Sequence, residues 1–248
     1  AADAPAPMSI TLPVDPDIGW GAPALLARET GVSLPVRARL AKRVPAGMGL
    51  AGGSSDAAAM LVGLDRLFDL QLGQPGLMRL APELGSDVAL FVHVLTGGSP
   101  SLLMTGTGET IEPAPLAAAP ALVLVMPALH CDTGAVYRAF DATQRDRQRV
   151  AVDHVREMAQ RGKVTDASLF NDLASPAFAV TPELREQRER LERCAEMPVH
   201  VTGSGAGLFM VASSPEAAAR LAGRVTRELG LPAAAVRQFE AFEDWTRR

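Results

Sequence analysis

Val44-Pro45-Ala46-Gly47-Met48-Gly49-Leu50-Ala51-Gly52-Gly53-Ser54-Ser55-Asp56 brings four glycines and two adjacent hydroxyls into one short stretch. These residue types at this spacing suit an anion. Glycine reaches positive φ and lets the backbone approach a ligand closely, so successive N–H groups can converge on one oxyanion. A helix that starts at such a loop adds unpaired N–H groups and the positive end of its dipole. Pro45, Gly47, Met48, Gly49, Leu50, Ala51, Gly52, Gly53, Ser54 and Ser55 are therefore the candidate phosphate-binding residues, with Asp56 as loop or substrate support.

The flanking elements have to hold that loop in place. Val36 to Val44 alternates, with Val36, Ala38, Leu40 and Val44 on one face and most of the charge on the other, which predicts an antiparallel strand with one solvated face. Ala57, Met60, Leu61, Leu64, Leu67 and Phe68 then recur at helical spacing. Ser54 or Ser55 is the expected N-cap, Asp56 falls in the first turn, and Gly73 and Pro75 are expected to close the helix. A plain connecting turn seldom needs so many glycines. Gly47-x-Gly49-x-x-Gly52 matches the dinucleotide fingerprint literally, but that fingerprint follows a buried parallel strand, and this one carries Arg37, Arg39, Lys42 and Arg43. Asp65 and Asp69 sit on or just after the helix, not at the end of a second strand, and no Gly-Lys-Ser/Thr is present for a P-loop.

Other segments carry weaker signals. Asp87, after Gly85-Ser86, reads alone as an N-cap or turn carboxylate, and Asn171-Asp172 as an ordinary helix start. Thr202-Gly203-Ser204-Gly205-Ala206-Gly207 is either a hairpin turn or a close backbone approach, and its three glycines beside the β-like Val199-His200-Val201 favour the latter. Tyr137 reads as core or pocket packing. His93, His130, His154 and His200 lack paired ligand spacing, so no metal site is expected. Cys131 and Cys194 form no C-x-x-C, and no signal peptide is evident, which points to reduced thiols and a cytoplasmic setting. The formal net charge of -4 offers no basic surplus for nucleic acid, and no apolar run approaches the roughly 18 residues of a membrane helix.

In order along the chain, these segments resemble the motifs of the GHMP kinase superfamily. Gly49-Leu50-x-Gly52-Gly53-Ser54-Ser55-Asp56-Ala57-Ala58 is similar to its second motif, P-x-x-x-G-L-G-S-S-A-A in outline, and the Ser-Ser-Asp ending is closest to the 4-diphosphocytidyl-2-C-methyl-D-erythritol kinase branch. Leu84 to Phe91 resembles the branch's G-A-D-V-P-F-F, Asp132 to Tyr137 its T-x-x-V-Y, and Phe170 to Leu173 its N-D-L-E. Val201 to Gly207 resembles the third superfamily motif. The resemblance implies ATP, with Mg²⁺ as the ATP complex, held by the phosphate loop. It further implies Asp87 as catalytic base, and Asn171, Thr202, Gly203, Ser204 and Gly205 as substrate-site or loop-support residues. The reaction implied is phosphorylation of the 2-hydroxyl of 4-diphosphocytidyl-2-C-methyl-D-erythritol in isoprenoid biosynthesis. The alternatives are a homoserine- or mevalonate-type kinase, or a catalytically impaired nucleotide-binding homologue.

The implied fold class is α+β, a two-lobed GHMP kinase fold with a ribosomal protein S5 domain 2-like N-terminal lobe and a ferredoxin-like C-terminal lobe. The Pro/Ala-rich Glu112 to Pro120 is the expected crossing, giving lobes of 1–118 and 119–248. In the second lobe a strand at Ala121 to Met126 is expected, then helices from Gly134 to about Gln160, Pro182 to Cys194 and Pro215 to Leu229. A last strand near Ala234 to Phe239 completes a split β-α-β pattern. Members of the family carry P-A-K-I-N-L and D-G-Y-H ahead of the phosphate loop. Neither segment is in these 248 residues, whose lysines are Lys42 and Lys163, so the expectation is a first lobe lacking its opening strands. The expected partners are ATP and a small-molecule substrate, with a monomer or homodimer as the assembly.

Overall fold

The computed structural model describes residues 21–38, 40, 44–143 and 152–237. Two hydrophobic clusters organise them. The first gathers α1 (Gly21–Thr30), α2 (Gly52–Leu67), α3 (Gly73–Leu80) and α4 (Val88–Leu95), with Leu26, Leu61, Leu77, Leu80, Val88 and Val92 fully buried. A hairpin follows, β1 (Leu102–Thr105) paired antiparallel with β2 (Thr110–Pro113). Of the strand expected over Val36 to Val44, residues 39 and 41–43 lie outside the described residues, and Val36 to Ala38 join no sheet among those described.

The second cluster lies under a four-stranded antiparallel sheet. β3 (Ala121–Val125) alternates, burying Ala121, Val123 and Val125. Helices α5 (Thr133–Thr143), α6 (Val152–Arg161), α7 (Ala174–Val180) and α8 (Pro182–Ala195) follow, then β4 (His200–Val201), β5 (Leu208–Ala212), α9 (Pro215–Leu229) and β6 (Ala233–Arg237). The sheet order is β4-β5-β3-β6. This is the ferredoxin-like arrangement, in which each split β-α-β unit inserts its last strand beside the other's first. α9 has clear signals at both ends: Ser214 accepts from the Ala217 amide at 3.1 Å, Pro215 opens the first turn, and Gly230 turns left-handed at φ 69°.

Two expectations about α2 need correction. Its N-cap is Ala51, with φ 51° and no side-chain cap, so neither Ser54 nor Ser55 serves and Asp56 falls past the first turn. Gly73 opens α3 where it was expected to close α2, which ends at Leu67 with Phe68 as its C-cap. The reason lies in Asp65. Its carboxylate accepts from the Leu72 amide at 2.9 Å, tightening the link so that a new helix starts at Gly73.

Candidate active site

The site forms where the first glycine loop meets the turn between β4 and β5. Gly47 carbonyl accepts from the Ala206 amide at 2.7 Å, and Met48 carbonyl accepts from the Gly207 amide at 3.2 Å and from the Thr202 hydroxyl. The approach is close enough to exclude side chains: a Cβ on Gly49 would lie 2.0 Å from the Thr202 carbonyl oxygen, and one on Gly207 would lie 2.5 Å from that of Met48. Gly47 at φ 71° and Gly49 at φ 61° supply the left-handed backbone that the loop requires. Below the clasp, the Met48 side chain is buried in the second cluster, and Leu50 packs against it.

This clasp orients the loop's donors. A peptide unit is planar and trans, so a carbonyl aimed at one side directs the next residue's N–H to the other. With Gly47 and Met48 carbonyls turned toward the β4–β5 turn, the Met48 and Gly49 N–H groups face away from it. α2 then begins without a side-chain cap, and its first backbone bond runs from the Ser55 amide to the Ala51 carbonyl at 3.0 Å. The first-turn amides and the dipole's positive end are thereby left for an anion. Ser54 is buried, and Ser55 donates its hydroxyl to the Gly52 carbonyl at 2.8 Å.

Asn171 supports the second loop from outside. Its side-chain amide donates to the carbonyls of Val201 at 3.0 Å and Gly203 at 2.8 Å, while its oxygen accepts from the Leu173 amide at 2.9 Å. The buried Ser204 meets the Thr133 hydroxyl at 3.1 Å, and Gly205 sits over the Cys131 thiol. Asp87 lies in a turn at the N-cap position of α4, where its exposed side chain makes no capping bond. α4 in turn packs against α2.

Several contributors were not legible as site residues. The ring of His130 lies against Gly47, where a Cβ would meet its Nδ1 at 2.4 Å. Thr133, bonded to Ser204, also belongs to this neighbourhood, and the hairpin glycine Gly108 presses on Ser86, the residue before Asp87. Tyr137, expected in a core or pocket, is 51% exposed. Both cysteines are free thiols; Cys131 is buried and bonds Thr181 at 3.3 Å, and burial pushes the Cys194 thiol up. Among the described residues no cluster of three or more His, Cys, Asp or Glu side chains could hold a metal, and no helix is long and apolar enough to cross a membrane.

Family models for the GHMP kinase N-terminal domain and the GHMP kinase C-terminal region match residues 19–94 and 152–230. The chain is 35% identical over 206 residues to a 4-diphosphocytidyl-2-C-methyl-D-erythritol kinase of Thermus thermophilus, covering 83% of this chain and 70% of that protein. It belongs to the GHMP kinases, in that branch. A relative of the same name from Kineococcus radiotolerans is 38% identical over 205 residues, and there the match spans 61% of the relative's length. A crystal structure of 4-(cytidine 5'-diphospho)-2C-methyl-D-erythritol kinase superposes with a TM-score of 0.70 at 31% identity, covering 93% of this chain and 81% of that one. Homoserine kinase from Cytophaga hutchinsonii, at 13% identity and a TM-score of 0.65, shares the fold alone.

Proposed function

We propose that this GHMP kinase transfers the γ-phosphoryl group of ATP to the 2-hydroxyl of 4-diphosphocytidyl-2-C-methyl-D-erythritol, a step of non-mevalonate isoprenoid biosynthesis. The observation that carries the reading is the clasp of two glycine loops at the uncapped start of α2, which turns backbone donors toward a phosphate chain. Relatives and a solved structure bearing that kinase name support the acceptor.

In this reading the backbone N–H groups of Gly47 to Ser54 hold the β- and γ-phosphates, Pro45, which has no N–H, frames the start of the loop, and Ser55, whose amide is bonded to Ala51, assists through its hydroxyl. Phosphoryl transfer asks the protein mainly for alignment and charge stabilisation, and fixed amide dipoles provide both without a P-loop lysine. Mg²⁺ arriving with ATP neutralises charge on the phosphate oxygens. Asp87 accepts the proton of the acceptor hydroxyl as its oxygen bonds to the γ-phosphorus and the bond to ADP breaks. Asn171, Thr202, Gly203, Ser204 and Gly205 keep the phosphate loop in register, and Asp56 backs it from α2. We put the boundary between the lobes at 118/119, within the Pro/Ala-rich crossing.

Asp87→Asn is expected to lower kcat by roughly 100-fold or more while leaving the KM for ATP within about twofold. Unchanged turnover would remove Asp87 from this role. Parallel assays with the cytidyl substrate, homoserine and mevalonate test the acceptor. Turnover of one of the latter two in place of the first would reassign it, and nucleotide binding without any turnover would favour the nucleotide-binding homologue.

A further inference from the structure

We infer that the β1–β2 hairpin turn, Gly106 to Glu109, is a brace that fixes Asp87, with Glu109 and Gly108 as positioning residues; the inference rests on reading Asp87 as the base. The turn connects Thr105 and Thr110, which pair across the hairpin, and the Gly108 amide closes it on the Thr105 carbonyl at 3.3 Å. Glu109 folds back across it. One carboxylate oxygen, Oε2, accepts from the Thr107 amide at 2.6 Å and from the Thr107 hydroxyl at 2.9 Å. The other lies over Gly106, where a Cβ would be 2.1 Å from it, so only glycine at φ 72° permits the fold-back.

Gly108 is then delivered against the segment carrying Asp87. It is buried, holds φ 104°, and a Cβ there would lie 2.0 Å from the Ser86 carbonyl oxygen and 2.9 Å from its carbon. The Ser86 carbonyl carbon is bonded to the Asp87 amide nitrogen, so a displaced Ser86 peptide moves the first backbone atom of Asp87. From the α4 side the buried Val88 closes the turn around Asp87 with its amide on the Gly85 carbonyl at 3.1 Å, and the Asp87 side chain makes no capping bond, so the contact with Gly108 fixes the other side of that turn. A turn so heavily specified in an otherwise short two-stranded hairpin has a mechanical use: it sets the position of a side chain that must meet the acceptor hydroxyl within a narrow range. A hydrogen bond from its own backbone amide, together with those from Thr107, also holds the Glu109 carboxyl below the usual carboxylate range, so the fold-back is made by the ionised form.

The test combines Gly108→Ala, Glu109→Ala and Glu109→Gln with Asp87→Asn. Gly108→Ala should lower kcat by about 10- to 100-fold with the KM for ATP within about twofold, a misplacement effect. Glu109→Ala should lower it less, and Glu109→Gln, which keeps an acceptor oxygen, should recover most of the loss. In the Asp87→Asn background, Gly108→Ala should cost nothing further, since the brace acts through the carboxylate. Additive losses, or wild-type turnover in Gly108→Ala beside a disabled Asp87→Asn, would overturn the brace while leaving the base intact. A fully active Asp87→Asn would overturn the base. Amide hydrogen exchange gives a readout that does not depend on turnover. Gly108→Ala should speed exchange at Asp87 and Val88 and leave α8 unchanged; unaltered exchange there would also overturn the brace.

Discussion

Asn171 fastens a loop that it does not belong to. Its two donated bonds reach the carbonyls of Val201 and Gly203, on either side of the Thr202 whose hydroxyl grips the phosphate loop. Asn171→Ala removes both donors and is expected to lower stability by about 1–2 kcal/mol and raise the KM for ATP several-fold. Asn171→Asp is nearly isosteric, yet its carboxylate would face two carbonyl oxygens with no proton to offer, so it should be the worse of the two. Urea unfolding and steady-state kinetics check the order, and an Asp variant as good as the wild type would show that the amide's donors are irrelevant. At this scale the sequence was legible where the backbone itself is the ligand. Gly47, Gly49, Gly203, Gly205 and Gly207 announce close approach by lacking a side chain. It was illegible where a side chain acts at long range: His130 against Gly47, or Gly108 against Ser86, depends on a fold that no local spacing encodes.

Helix α2 illustrates how an element can be recognised and its ends misjudged. Apolar recurrence from Ala57 to Phe68 marked its body, because the buried face must repeat with the helical period. The Ser54–Ser55 pair resembled a cap, but a capping side chain would occupy the donors that an anion site has to leave open, and the helix starts earlier on a left-handed Ala51. α9, whose ends have no such second duty, follows Ser214, Pro215 and Gly230 as those residues dictate. The β1–β2 hairpin gave no comparable signal, since its strands are four residues each and only half-buried or exposed. Two glycines of α2 and its loop separate geometry from propensity. Gly49→Ala places a Cβ 2.0 Å from the Thr202 carbonyl oxygen at φ 61°, and should cost at least about 2 kcal/mol together with nucleotide binding. Gly63→Ala, mid-helix with open space around the new methyl, should instead stabilise by roughly 0.5–1 kcal/mol. Thermal unfolding of both variants tests the pair, and a tolerated Gly49→Ala would mean the loops do not clasp in solution.

The phosphate loop ties the two hydrophobic clusters together at the site. Met48 comes from the loop that precedes α2, whose buried face belongs to the first cluster, yet its own side chain is 5% exposed and sits in the second. The backbone bonds from Ala206 and Gly207 run in the same direction, so the phosphate loop keeps its shape only while both clusters are folded. This coupling makes stability and binding one property at the joint and separate properties elsewhere. Met48→Ala should lower stability by about 2–4 kcal/mol, as large-to-small core changes do, and should also weaken nucleotide binding because the loop loses its anchor. Leu26→Ala, fully buried in the first cluster and away from the joint, should lose comparable stability while folded molecules bind nucleotide normally. Calorimetry should give a single transition for the wild type that saturating nucleotide shifts upward as a unit, since a ligand binding only the native state stabilises whatever unfolds with its site. Two resolved transitions, with Met48→Ala moving only the second, would mean that the clusters fold independently and that the loop is merely adjacent to both.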